Sequence, residues 1–134
     1  MEAFTIIINE APYVGERAWN GLRLAKKSLE SGLAVNLFLM ADAVYVARRN
    51  QRPPQQAPNL EQLLEEVLQK GARVKVCTTC IEARSFEPSG ELQACFLGKK
   101  EGGLSLGDLV KEVEMGTMQD LVNWSKEADQ VISF

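Results

Sequence analysis

The chain has 134 residues, a length that fits one domain, and its hydrophobic fraction of 46% and charged fraction of 25% are ordinary for a globular protein. Its formal net charge of −3 makes nucleic acid and anionic membrane surfaces poor partners, so we expect direct binding to neither. The sequence contains no histidine, which excludes Ser-His-Asp and Cys-His catalytic sites and histidine-based metal sites.

The N-terminal residues 1–8 have no positively charged leader and no long apolar run, so they do not resemble a signal peptide. No stretch of the sequence approaches the roughly 18 apolar residues that a membrane-spanning helix needs. We therefore expect a cytoplasmic protein with no membrane partner.

Apolar β-branched runs alternate with amphipathic segments along the chain. The predicted elements are a strand at 4–9, a helix at 16–31, a strand at 34–40, a short helix at 43–48, a helix between Asn59 and Gly71, a strand at 74–77, a short helix at 78–84, a strand at 113–115, a helix beginning near Thr117 and a last strand at 130–134. The alternation predicts an α/β fold with a mostly parallel sheet covered on both faces.

Ligands of such sheets bind beyond the carboxyl ends of the strands. Three loops are expected to meet at that edge, namely residues 9–13, residues 41–42 and the segment that begins at Cys77. The placement brings the only chemically distinctive motif of the chain, Cys77-Thr78-Thr79-Cys80, to the edge where a functional site is expected.

Cys77 is predicted to end a strand and to precede a helix. Backbone N–H groups and the positive end of the helix dipole favour a thiolate at such a position, and the thiolate is the nucleophilic form of cysteine. The same position also suits a cysteine that only packs in the core. Cys80, about one turn further on, has either a helper role or a packing role, and Cys95 is interpreted as incidental.

The cysteines do not form a recognisable metal or disulfide framework. Three cysteines without an export signal argue against structural disulfides. A zinc site needs four ligands, and only Cys95 is left once Cys77 and Cys80 are counted. We expect no metal and no organic cofactor.

The segment 76–84 resembles the active loop of the DsrE/DsrF-like family, particularly its small YchN-type members. Further similar segments follow in the family's order along nearly the whole chain: 9–16, 20–25, 37–44, 113–117 and 128–134. Several separated matches in the right order are more specific than a Cys-x-x-Cys motif alone.

The resemblance implies a single three-layer α/β/α domain over residues 1–134, with a sheet of about five strands, assembled into homotrimers or homohexamers. It also implies a sulfur carrier, a possible sulfurtransferase, in which Cys77 accepts sulfane sulfur as a persulfide from a donor protein and passes it to an acceptor protein. Arg84 is expected to stabilise the anionic sulfur. Tyr13, Glu16 and Asp42 are expected to line the same site.

Two features depart from the family pattern. Ser85 follows Arg84 where relatives usually have glycine, and residues 86–103 look like a loop insertion that contains Cys95. Both changes lie near the predicted active edge, and they bear on site access and on the choice of partner.

Two other hypotheses stay open at this stage. Cys77 and Cys80 could form a thiol-disulfide redox pair, which would require both cysteines. Alternatively, the chain could be a non-catalytic oligomeric module that binds a small ligand or a protein, in which case Cys77 would be dispensable. The sequence names neither the sulfur donor nor the acceptor.

Overall fold

The computed structural model describes residues 2–84 and 104–134 as an alternation of strands and helices. Within these ranges the strands are β1 (Ala3–Ile8), β2 (Ala34–Leu39), β3 (Arg73–Cys77), β4 (Glu114–Gly116) and β5 (Gln130–Ser133). The α-helices are α1 (Arg17–Glu30), α2 (Leu60–Gln69), α3 (Thr78–Glu82) and α4 (Met118–Glu127), and 3₁₀ helices cover Ala41–Ala47 and Leu106–Asp108. The predicted insertion at 86–103 and Cys95 lie outside the described residues.

The strands form one sheet in the order β4-β3-β2-β1-β5, and every pairing in it is parallel. The three central strands β1, β2 and β3 are short and rich in branched apolar residues, as strands buried on both faces usually are. Parallel pairing aligns the carboxyl ends of all five strands at one edge. The α/β class and the parallel sheet predicted from the sequence are confirmed.

One face of the sheet carries the larger core. Alternate residues of β2, Val35, Leu37 and Leu39, point to this face and are buried against α1 and α2. The helices contribute apolar stripes of helical periodicity to it, consisting of Ala18, Leu22 and Ala25 from α1 and Leu60, Leu64 and Val67 from α2. At the end of α1, Gly32 adopts a φ of +88°, which glycine tolerates and which lets the chain turn back into β2.

Helix α4 covers the opposite face with a smaller apolar cluster. Phe38, Cys77 and Trp124 are buried together there, and the Phe38 and Trp124 rings meet edge-on with centroids 6.3 Å apart. The Thr5 hydroxyl, also buried, donates a hydrogen bond of 3.1 Å to the Trp124 carbonyl oxygen and fixes α4 to β1. Helices therefore lie on both faces of the sheet, which gives the expected α/β/α layers.

The segment after β2 differs from its prediction. The short helix expected at 43–48 is a 3₁₀ helix that begins earlier, at Ala41, and ends at Ala47. Ala41 itself has a φ of +52°, a left-handed conformation that costs a non-glycine residue about 1–2 kcal/mol. Sequence periodicity does not report such a conformation, because periodicity reflects which side chains are buried and not the φ angle of a single residue.

No helix in the described ranges is both long and apolar enough to span a bilayer.

Truncating Leu64 to alanine tests the larger core. Leu64 is fully buried in α2, so its removal should leave a cavity and lower the free energy of unfolding by about 2–5 kcal/mol in urea titrations. The matched control is Leu106→Ala, because the Leu106 side chain is 63% exposed and its loss should change stability by less than about 0.5 kcal/mol. Equal losses in the two variants would contradict the packing described here.

Candidate functional site

Cys77 is the last residue of β3 and lies at the carboxyl edge of the sheet. In the parallel pairing of β3 with β4, Cys77 is in register with Gly116, so both strands end at the same level. Helix α3 begins immediately after Cys77, and α4 begins two residues after Gly116. The ends of two neighbouring strands and the starts of two helices thus meet at one place. The sequence predicted Cys77 at this edge, whereas the junction of β4 and α4 was not among the loops expected there.

A pocket of about 350 Å³ opens between these elements. It is lined by Cys77, Thr78, Thr79, Cys80, Gly116, Thr117 and Met118. The Thr78 hydroxyl donates a hydrogen bond of 3.0 Å to the Gly116 carbonyl oxygen, which joins the two sides of the pocket. Both cysteines of the motif therefore face one cavity.

Gly116 is required by the close approach of β4 to its neighbours. A Cβ atom on this residue would lie 2.9 Å from Cβ of Lys75 and 3.0 Å from Cε2 of Phe38, which is closer than carbon atoms normally pack. Thr117 follows and caps α4, because its hydroxyl accepts from the Asp120 N–H at 3.2 Å while its own N–H donates to the Asp120 carboxylate at 2.8 Å. The far wall of the pocket is fixed in this way.

Lys75 of β3 binds the first turn of α4 next to the pocket. Its ammonium group lies 3.0 Å from the Asp120 carboxylate and 5.2 Å from the centre of the Trp124 ring. The Thr117 N–H and Lys75 together lower the pKa of Asp120. The Lys75 side chain is only 12% exposed, so its charge is committed to these two partners.

Cys77 is buried, with 4% of its surface exposed, and this environment opposes its ionisation. Burial raises the pKa of the Cys77 thiol, and a hydrogen bond to the Cys80 side chain raises it further. The N–H groups of Cys80 and Thr79 act in the opposite direction but more weakly. The sequence suggested a thiolate favoured by the start of α3; that effect is present, and desolvation outweighs it.

Cys80 is more accessible and has a polar partner of its own. Its sulfur accepts a hydrogen bond of 3.2 Å from the Ala41 backbone N–H, and its side chain packs against the cluster that contains Cys77. This hydrogen bond accompanies the left-handed conformation of Ala41. Since Cys77 also meets backbone N–H groups, the difference between the two cysteines is the deeper burial of Cys77.

Arg84 lies beside Cys80 and does not contribute to the pocket wall. Its guanidinium donates to the Asp42 Oδ1 atom from Nη2 at 2.7 Å and from Nε at 3.1 Å, and Nη1 donates to the Cys80 carbonyl oxygen at 2.9 Å. Arg84 therefore connects α3 to the segment after β2. The role expected for Arg84, direct stabilisation of an anionic sulfur, is not the role that these contacts describe.

Tyr13 and Glu16 line a different pocket, about 340 Å³ in volume, at the start of α1. The Tyr13 hydroxyl donates to the Gln51 side chain and accepts from the Leu60 N–H at 3.1 Å. Gln51 in turn donates to the carbonyl oxygens of Val46 and Arg48. Tyr13 thus secures the loop before α2, and Asp42 is the only one of the three expected lining residues beside the cysteines.

The sequence predicted residues 41–42 at this edge, but it did not identify the Ala41 N–H, Gly116 or Thr117 as parts of the site. Ala41 acts through its backbone N–H, for which the side chain gives no signal. A helix was expected to begin near Thr117, and Gly116 immediately before it is the signal that could have indicated a closely packed strand end. Among residues 2–84 and 104–134 there is no cluster of three or more cysteine or carboxylate side chains that could hold a metal ion.

The sequence matches the DsrE/DsrF-like family over residues 2–134. An uncharacterised protein of Methanopyrus kandleri is 40% identical over 134 residues, which cover 100% of this chain and 95% of that protein. Protein YchN of Escherichia coli is 35% identical over 136 residues and is matched over 100% of both chains. The chain therefore belongs to the DsrE/DsrF-like family.

The crystal structure of E. coli YchN has the same architecture, with a TM-score of 0.78 over 100% of both chains. A conserved protein of unknown function from Bacteroides thetaiotaomicron, 16% identical, shares the fold with a TM-score of 0.59 over 99% of this chain and 95% of its own. Family membership directs attention to sulfur relay in general, and the two cysteines at the sheet edge are the groups that could perform it.

The raised pKa of Cys77 gives a prediction for its pH dependence. Because the folded protein retains the thiol proton to higher pH, the rate of Cys77 alkylation by iodoacetamide should reach half its maximum above the ordinary cysteine value of about 8.5. Tandem mass spectrometry of the peptide that carries Cys77 measures this rate.

The urea-unfolded chain is the control. The pH at which its Cys77 alkylation reaches half the maximum rate should be the ordinary cysteine value of about 8.5. In Cys80→Ala the midpoint of Cys77 should move down towards that value, because two of the three effects that raise the pKa of Cys77 come from the Cys80 side chain and only burial is left. A folded midpoint at or below the unfolded midpoint would show that the helix start outweighs burial.

Proposed function

We propose that this protein is a sulfur carrier in which Cys77 accepts sulfane sulfur as a persulfide and passes it to another thiol. The observation that carries the proposal is the pocket shared by two free cysteines at the carboxyl edge of a parallel sheet, in a chain of the DsrE/DsrF-like family. Cys77 ends the strand, at the position that resembles the family's active cysteine.

The chemistry proposed at Cys77 is thiol exchange. The Cys77 thiolate attacks the outer sulfur of a donor persulfide, a new S–S bond forms at Cys77, and the donor departs as a thiolate. The same exchange with an acceptor thiolate removes the sulfur again. Since burial raises the pKa of Cys77, loading should become faster as pH rises through the neutral range. The chemistry requires reduced thiols, and the cytoplasm is the proposed location.

The setting of the pocket supports a thiol-bound persulfide as donor. None of the seven residues that line it carries a charge. The two cations beside it are already paired, Arg84 with Asp42 and Lys75 with Asp120. An anionic donor would find no free positive partner among these residues, whereas a persulfide presented by a donor protein needs none.

We propose that donor and acceptor are proteins and that the carrier works as a homotrimer or homohexamer, as the family resemblance implies. Apolar residues exposed near the site support protein contacts there. Met118 lines the pocket and is 50% exposed, and Val122, one turn further along α4, is also 50% exposed. An apolar rim of this kind suits a protein surface better than solvent.

A cysteine replacement series tests the carrier role. After incubation with a persulfide donor, Cys80→Ser should gain the mass of one sulfur atom and Cys77→Ser should gain none, because only Cys77 is proposed to accept sulfur. Intact-mass spectrometry without reductant measures the gain. Loading of Cys77→Ser, or of neither variant, would count against the proposal.

The same pair of variants separates the redox alternative, which is favoured by the pocket that Cys77 and Cys80 share. A thiol-disulfide oxidoreductase would lose its activity in both variants, since it needs two thiols. A sulfur carrier keeps its loading step in Cys80→Ser.

The uncharged pocket predicts a donor preference. Two donors of matched reactivity, the persulfides of N-acetylcysteine amide and N-acetylcysteine, differ by one carboxylate. We expect the uncharged amide to load Cys80→Ser at least about threefold faster at low salt, because the chain has a net charge of −3 and the pocket offers the carboxylate no cation. The difference should shrink as salt screens the repulsion between the carboxylate and the net negative charge. Rates come from the time course of the mass gain, and equal rates at low salt would contradict the prediction.

A further inference from the structure

We propose that Cys80 is a second catalytic cysteine, which displaces the sulfur carried by Cys77 as hydrosulfide and leaves a Cys77–Cys80 disulfide. The inference rests on the proposed function, because it requires a persulfide on Cys77. It adds a second way for sulfur to leave this chain, as hydrosulfide, when no acceptor thiol has taken it from Cys77.

The positions of the two sulfurs support this step. Cys77 and Cys80 line the same pocket, and the Cys80 side chain packs against the cluster that contains Cys77. Residues three apart at a helix start have Cβ atoms about 5–6 Å apart, and a small adjustment brings them to the roughly 4 Å that a disulfide requires. The pocket of about 350 Å³ leaves room for the additional sulfur atom of a persulfide.

The surroundings of the two sulfurs assign different roles to them. Cys77 is 4% exposed and lies in an apolar cluster with Phe38 and Trp124, whereas Cys80 is partly exposed. The sulfur of Cys80 receives the Ala41 N–H at 3.2 Å, a donor that stabilises a thiolate. A partly exposed sulfur that accepts an N–H hydrogen bond, beside a buried sulfur in the same pocket, is the arrangement of an attacking group and its target.

Arg84 and Asp42 keep the donor and the acceptor of this hydrogen bond together. Asp42 follows Ala41 directly, and Arg84 binds both the Asp42 carboxylate and the Cys80 carbonyl oxygen. The guanidinium thereby fixes the segment that supplies the N–H to the helix that supplies the sulfur. Arg84 acts as a positioning residue in this step, because it touches the backbone of Cys80 and not its sulfur.

The Cys80 thiolate, its proton already lost to solvent, attacks Sγ of Cys77 in the Cys77 persulfide. The S–S bond to the outer sulfur breaks, and its electron pair leaves with that sulfur as HS⁻, which keeps the persulfide hydrogen. The outer sulfur is reduced, and the two cysteine sulfurs are oxidised to a disulfide. A dithiol, or two monothiols, must then reduce the disulfide before the next turnover.

The test follows a single loading event under anaerobic conditions, so that oxygen cannot form the disulfide. Reduced wild type, Cys80→Ser and Cys95→Ser are loaded with the persulfide of N-acetylcysteine amide and freed of excess donor. Released sulfide is then measured over time, together with the mass of the tryptic peptide 76–84, which contains both Cys77 and Cys80. Unloaded wild type, treated in the same way, is the control for adventitious oxidation.

We expect wild type and Cys95→Ser to release sulfide while the peptide 76–84 loses two hydrogens as its disulfide forms. Cys80→Ser should keep its persulfide at least about tenfold longer and release no sulfide, because the neighbouring intramolecular thiol is gone. A loaded wild type that keeps its persulfide as long as Cys80→Ser would overturn the role of Cys80 and leave the carrier function intact. Failure of every form to load would overturn both.

Discussion

Strand β3 lies between β2 and β4, and its parallel hydrogen bonding to both neighbours fixes where the three strands end. Leu39 pairs with Val76 on one side and Gly116 pairs with Cys77 on the other, so the chain leaves the sheet at nearly the same level in all three strands. Ala41, Cys80 and Thr117 are brought together only because this register holds. A shift of one residue in β3 would exchange the residues on its two faces and remove Cys77 from the pocket.

The position of Cys77 at the end of β3 also explains the ionisation of its thiol. A residue at the end of a buried strand is surrounded by its neighbours on the sheet, here Phe38 and the ring of Trp124. Desolvation then dominates over the N–H groups of a five-residue helix, and the pKa of the thiol rises. Cys80, less than one helical turn further on, escapes that burial and meets the Ala41 N–H. One short motif thus presents two thiols in unlike settings.

The charged groups around the site hold neighbouring structural elements in place and are not proposed to take part in the reaction. Arg84 joins α3 to the segment after β2, and Lys75 joins β3 to the start of α4 through Asp120. Each of these cations is largely buried and has its carboxylate within 3.0 Å, so both rigidify the pocket and neither is free to attract an anion. This arrangement is consistent with the proposal that an uncharged pocket receives sulfur from a donor protein.

The sequence by itself determined the alternating strands and helices, the parallel sheet and the edge at which Cys77 and Cys80 lie, because these follow from local hydrophobic periodicity and from the geometry of parallel strands. It also identified the family, through segments spread along the chain. Only the tertiary structure decided that burial raises the pKa of Cys77, that Arg84 pairs with Asp42, that Tyr13 belongs to another pocket and that the Ala41 N–H reaches Cys80. Each of these depends on residues distant in the sequence or on a backbone group, and local patterns carry no information about either.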